Sequence, residues 1–484
     1  MITQQVVLIS QSFGSFLSVF ITLLLASVFA CGQSPVVATS QMTDRTSSSP
    51  TSLKDEREEP NGSRSKTVPS IVALYFDPFQ GASSSDLVQR ALTSNMELSA
   101  SRLDIERGRA RLRQAGLRPN PTIDFEQASG GLVGSPGERA ISIGFALPLE
   151  IGGQRRRRIE LAQAELEAAE AEIADHERRL TNDVLASYAE ALSSLRELQI
   201  TEELNNLDLE MTRFVQIRVN EGETAPLDLN LLRVEADRLR SRRVLVEGRL
   251  QAALVKLKNI VGISLTEALR LKEDFAAPSL REPPSSLDAA IDIAMRRRPD
   301  LQLARLNEEV ARAGLRLARA QGAPEVTASA KYSSDRSITD LPEPLVALPD
   351  QSRALSFGVS IGLPVLNRNQ GAKAEATIAI TQAQRRREFA ETVVRAEVTS
   401  AYERYEAARS AVNIFEQGVI GRSNENIRTI RAAYQIGAFS ITDLLVQQRQ
   451  LLDSQREFTE ALAERYRAIA DLQTAIGARI NQQK

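Results

Sequence analysis

Tryptophan is absent from this 484-residue chain, cysteine and histidine occur once each, and aromatic residues make up only 5%. A single cysteine excludes an internal disulfide, and Cys31 with His176 cannot build a His/Cys cluster of transition-metal type within one chain. No phosphate loop, nucleophile elbow or metal-ligand pair is present either, so the chain offers no catalytic residues, no metal site and no cofactor site, and no enzyme is expected. Charge of one sign is lacking too: 60 Lys and Arg nearly balance 62 Asp and Glu, so no global field would recruit nucleic acid. What remains, rich in Arg, Glu, Ala, Leu and Gln, is the composition of long helices.

The chain contains itself twice. Gly222-Glu-Thr-Ala-Pro-Leu-Asp228-Leu returns as Gly437-Ala-Phe-Ser-Ile-Thr-Asp443-Leu, 215 positions on, and Val261-Gly262 returns as Ile476-Gly477 at the same offset. Upstream, Leu147-Pro148 answers Leu363-Pro364 at 216, while Leu98 and Pro121 answer Leu301 and Pro324 at 203. Duplication accounts for the match. The shift of thirteen places an insertion between Tyr332 and Leu355, where the prolines of Leu341-Pro-Glu-Pro and Leu348-Pro-Asp predict a loop.

From Gly153 to about Val219 there is no proline, and Leu161, Leu166, Ile173, Leu180, Leu185, Leu192 and Leu195 recur near helical spacing. One helix of about 65 residues would reach roughly 100 Å. The second copy predicts the same from Gln370 to about Gln435. Each then runs back: Leu232, Leu239, Val246, Ala253 and Ile260 step by sevens, as do Leu444, Leu451, Phe458 and Leu472 with Arg465 interrupting, which predicts antiparallel helical hairpins. Shorter helices, about Asp86 to Gly116 and Ser286 to Ala320, open the repeats and end at prolines.

Beyond those prolines the period becomes two. Ile141, Ile143, Phe145 and Leu147 alternate with Ser142, Gly144 and Ala146; Leu355, Phe357, Val359, Ile361 and Leu363 alternate with Ser356, Gly358, Ser360 and Gly362. Ile123 and Phe125, and Val326 and Tyr332, supply their partners, so each repeat contributes one hairpin, with strands at about 122–149 and 325–365. No other core is available to cover this sheet. Four strands cannot close a barrel with a usable lumen, but three chains would give twelve, apolar outside and wet inside, with Asp124, Glu126 and Lys331 projecting into the lumen.

Residues 1–30 read as a signal peptide: the apolar run from Phe16 to Ala30 stops directly before Cys31. It looks like a lipoprotein signal, with Cys31 as the acylated residue, an ordinary signal peptide or a misplaced start being the alternatives. Residues 31–82 would be a lipid-anchored tether, of which Ser34 to Ser70 is Ser/Thr/Pro/charged with little to bury. The repeats then occupy 83–285 and 286–478, with a tail at 479–484.

With Arg298-Pro-Asp-Leu301 before a helix, the paired Leu-Pro strand ends and the Gly-x₅-Asp-Leu turns in the same order twice, the chain resembles the TolC family of outer-membrane efflux proteins from about Ala91 to Gly477. Pro148-Leu-Glu-Ile-Gly-Gly-Gln-Arg155 and Leu363-Pro-Val-Leu-Asn-Arg-Asn-Gln-Gly371 look most like the CzcC-like branch, paired with heavy-metal exporters of the resistance-nodulation-division (RND) class. The resemblance implies a mainly α fold with a membrane β-barrel. In a homotrimer, duplicated helical hairpins form a periplasmic α-barrel tunnel below twelve strands among the outer-membrane lipids. It also implies a passive duct, fed by an inner-membrane RND pump through a periplasmic adaptor. A drug-efflux or type I secretion duct of the same fold, and a lipid-anchored coiled-coil scaffold without a pore, are the other readings.

In that frame Asp228 and Asp443 lie near the tunnel entrance, as charge rings or in pairs with Arg218 or Arg431. The plainer reading is helix-start chemistry, with Pro226 in a first turn and Ser440 as an N-cap, and the two roles can coexist. Val219, Gly222, Tyr434 and Gly437 are the implied adaptor contacts. Arg155 to Arg158 would sit near anionic headgroups as an interfacial belt. Glu150 and Arg155 carry the CzcC-like signature, with a junction role expected. His176, flanked by Asp175 and Glu177, is expected to face solvent, though a threefold ring of it is conceivable.

Overall fold

The structure, a computed structural model, describes residues 71–129, 138–275, 280, 283–339 and 348–477, all of which belong to one compact unit, Val68–Lys484. Cys31, the signal peptide, most of the tether and the tail lie outside the described residues.

Helix α1 (Ser84–Ser94) and α2 (Met96–Ala115) open the first repeat and are followed by β1 (Thr122–Ser129), β2 (Arg139–Leu149), the long α3 (Gln154–Asn220) and α4 (Pro226–Val261). The second repeat runs α5 (Leu287–Arg297), α6 (Pro299–Ala320), β3 (Glu325–Thr339), β4 (Leu348–Gly362), α7 (Gln370–Ile414), α8 (Ile420–Gln435) and α9 (Ile441–Ala475). At 67 residues α3 spans roughly 100 Å. Its counterpart is interrupted by a π-helical turn at Phe415–Val419 between α7 and α8, which the periodicity alone did not separate.

Each opening helix is two helices. The break falls at Asn95 in the first repeat and at Arg298 in the second, 203 positions apart like Leu98 and Leu301. Asn95 ends α1 and caps α2, its side chain accepting from the Leu98 N–H at 2.8 Å; Arg298 precedes Pro299 at the first turn of α6. The hairpin ends dock onto these breaks. Gly262 (φ 79) and Gly477 (φ 67) end the two returning helices, and a Cβ built there would lie 2.6 Å from the Ser94 carbonyl and 3.2 Å from that of Arg297.

The heptad positions are the core. Leu232, Leu239, Val246 and Ala253 are buried, as are Leu444, Leu451 and Leu472. A central cluster joins Leu87 and Val88 to Leu185, Tyr188 and Leu198 of α3, Leu250 and Leu257 of α4 and Tyr466 of α9. A second, nearer the turns, packs Leu204, Met211 and Val215 against Leu229, Leu232, Tyr434, Ile441 and Leu444. Ile71, Val72, Tyr75 and Phe76 pack on the central cluster, and Phe76 and Ala82 bridge to Leu271. Residues 71–82 are therefore part of the folded body rather than of a tether, held by four apolar side chains that follow the polar segment.

The four strands form one antiparallel sheet in the order β1-β2-β3-β4. The second hairpin is longer than expected. β3 and β4 have fifteen residues each and pair from Glu325↔Gly362 to Thr339↔Leu348, so much of the inserted length is strand, and only 340–347, outside the described residues, remains of the anticipated loop. Polar residues such as Ser333, Ser334, Asp335 and Arg336 hid that extension.

Candidate functional site

Register sorts the sheet into two faces. Ile123↔Phe145, Phe125↔Ile143, Ile143↔Tyr332, Tyr332↔Leu355 and Phe145↔Ala330↔Phe357 place the large apolar side chains on one side. These are exposed, from 41% at Ile141 to 78% at Phe357. The other side carries Asp124 and Glu126 of β1, Ser142 and Gly144 of β2, Lys331 of β3 and Ser356, Gly358 and Ser360 of β4. The structure brings two of the three anticipated lumen residues together: Lys331 Nζ donates to Glu126 Oε2 at 2.9 Å, and the Ser142 hydroxyl donates to the same oxygen at 3.2 Å. Asp124 stands on the same face above Gly144. Within one chain β1 and β4 each leave one edge unpaired.

At the root of the sheet, Arg155 Nε donates to the Gly116 carbonyl at 2.6 Å, and Arg158 pairs with Glu150 while donating to the Leu117 carbonyl at 3.1 Å. Arg156 and Arg157 pair with Glu160. Each member of the run Arg155 to Arg158 therefore has a partner within its own chain, while Arg156 stays largely exposed. Two of its members hold the carbonyl end of α2, where cations are favoured, which gives the Glu150/Arg155 signature its junction role.

At the opposite end are the hairpin turns, at Gly222 (φ 77) and Gly437 (φ 76). Ser440 caps α9 in a box with Asp443, whose carboxyl is held below the ordinary range by hydrogen bonds from the Ser440 hydroxyl and N–H. Asp228 lies in the first turn of α4 behind Pro226. The anticipated Asp–Arg pairs are not formed within the chain. Arg218 pairs with Glu223 of the turn at 3.3 Å and stacks 5.8 Å over Phe214, and Arg431 pairs with Glu210 at 3.7 Å. Val219 is half-buried and Gly222 and Gly437 are exposed, but Tyr434 is only 5% exposed and belongs to the tip core, so it offers no surface for a partner. Burial and then Asp228 push its phenol up.

Three features went unread in the sequence. Arg298, 3% exposed, pairs with Asp300 and with Glu397 of α7, both at 2.6 Å, and donates to the Ala475 carbonyl at 3.3 Å, tying three helices at the repeat junction. Asp208 of α3 is fully buried and accepts from Gln448 of α9. Glu197 gathers Arg242, Arg249 and Arg456. His176 is half-buried, and among the described residues no cluster of His, Cys, Asp or Glu could hold a metal ion. Nor, among them, is any helix long and apolar enough to cross a membrane.

The family model "Outer membrane efflux protein" matches residues 87–263 and 290–478, one segment in each repeat. The chain belongs to the outer membrane efflux protein family. Within that family it is 23% identical over 397 residues to the cobalt-zinc-cadmium resistance protein CzcC of Cupriavidus metallidurans, covering 80% of this chain and 88% of that protein. It is also 23% identical over 329 residues to the outer membrane protein TolC of Vibrio cholerae, covering 67% and 74%. Among solved structures, CusC superposes with a TM-score of 0.68 at 22% identity, over 87% of this chain and 99% of CusC. The fold of this family member is therefore shared with CusC.

Proposed function

We propose that the protein is the outer-membrane duct of a tripartite RND-type efflux system, exporting heavy-metal cations passively. The observation that carries the reading is the sheet, with an apolar band across one face, small and polar residues on the other and two open edges. Three such sheets joined edge to edge close a twelve-stranded barrel that leaves no unpaired backbone in lipid. The α3/α4 and α8/α9 turns form the periplasmic end, where an adaptor meets exposed Gly222 and Gly437 and an RND pump supplies the energy. Likeness to CzcC supports metal cargo. Cys31 anchors the chain to the membrane through lipid in this reading.

Two measurements test it. Protein extracted in detergent is expected to have the mass of a trimer and to give discrete channels in a planar bilayer; a chain that stays monomeric and never inserts refutes the duct. Deleting the gene is expected to sensitise its host to cobalt, zinc or cadmium, and sensitivity confined to organic toxicants would transfer the cargo to the drug-efflux reading.

A further inference from the structure

Above the apolar band, at the end of the sheet remote from the helices, the same face turns basic. Arg139 of β2 stands directly opposite Arg336 of β3, and Arg336 opposite Gln351 of β4, two residues before Arg353. By alternation all three arginines share the face of Ile143, Tyr332 and Leu355, and all three are exposed. Opposed residues lie about 5 Å apart and diagonal ones about 7–8 Å, so three long side chains can reach one place. The neighbouring acids Asp335 and Asp350 fall on the other face by the same alternation. Among the described residues none of the three arginines has an ion-pair partner.

Two guanidinium groups directly opposite one another in an antiparallel pair repel, and on a lipid-facing surface arginine is tolerated near the interface but not at mid-depth. Both conditions are met by an anion at headgroup level. The geometry points to Arg139, Arg336 and Arg353 as a docking site for the phosphorylated headgroup of an outer-leaflet glycolipid, its acyl chains lying down the band of Phe125, Ile143, Tyr332 and Leu355. This inference rests on the outer-membrane reading above, which puts the hairpin ends outside and therefore at the leaflet made of phosphorylated, multiply acylated glycolipid. Guanidinium groups suit phosphate because their N–H groups form paired, charge-assisted hydrogen bonds.

The test uses the full-length channel, with conductance recorded first. A chain that never inserts removes the membrane reading and this site with it, whereas a conducting trimer isolates the question. Native mass spectrometry then follows retention of rough-type lipopolysaccharide, its dephosphorylated form and inorganic phosphate. Wild type is expected to retain the phosphorylated lipid at least about tenfold better than the dephosphorylated one, and better than R139Q/R336Q/R353Q by a similar factor. Equal retention of the two lipids by wild type overturns the site, and this comparison needs no variant to fold. Saturation by millimolar inorganic phosphate that displaces the lipid assigns the site to a free anion and overturns the lipid.

Discussion

Asp208 is a carboxyl group among apolar neighbours. Burial is the largest influence on it, outweighing the hydrogen bond from Gln448, and with Glu235 nearby it carries its pKa up from 3.8 to about 6. Because the folded value exceeds the unfolded one, the native state binds the proton more tightly. The contribution of this group to stability is then greatest below pH 4, falls as pH rises to about 6, and stays at the lower level above it. Two units correspond to roughly 3 kcal/mol at most. Replacing Asp208 with Asn is expected to raise the melting temperature at pH 8 while changing little at pH 4, flattening the profile; parallel profiles for the two proteins would reject the argument. Nothing in the sequence marked this residue. It sits in a helix dense with Asp and Glu, and only packing against α9 distinguishes it from its exposed neighbours. Arg298 is a different case, since its motif was visible but its ion pair reaches Glu397, almost a hundred residues away.

At the scale of elements, legibility followed periodicity. The heptads named α4 and α9 and their core, and the two-residue alternation named both hairpins and sorted Asp124, Glu126 and Lys331 onto one face. Where a signal was local chemistry rather than period, boundaries slipped: the Asn95 and Arg298 breaks, the π turn and the polar end of β3. The Arg218 and Arg431 pairings failed because a long arginine near a turn has several acids within reach, Glu223 of the turn and Glu210 of α3 among them, and sequence cannot choose among them. The glycines allow a graded test. Gly222 has φ 77 with nothing within 4 Å of a built Cβ, so alanine there should cost about 1 kcal/mol from conformation alone. Gly262 has a similar φ, but its Cβ would collide with backbone at 2.6 Å, so G262A should cost roughly 3 kcal/mol. Equal losses in chemical denaturation would contradict the docking of α4 on the α1/α2 break.

In the proposed duct, the charge on the polar sheet face is what a passing ion meets. Lys331 neutralises Glu126, so K331E reverses one charge in each chain and releases a second. Cation over anion permeability is expected to rise roughly threefold, read as a shift of reversal potential across a salt gradient. An unchanged potential would mean that this face does not line the conduction path.

The open edges of the sheet also set an order of events. A lone subunit carries two unpaired strand edges and a bare apolar band, so the sheet has no satisfied resting state in water or in lipid. The helical portion can fold first on its own buried heptads, but the barrel of the proposed trimer can be completed only by an encounter of three chains. Its rate of appearance should rise steeply with how much protein is present at once, and at low supply the vulnerable species is the half-finished subunit awaiting its neighbours.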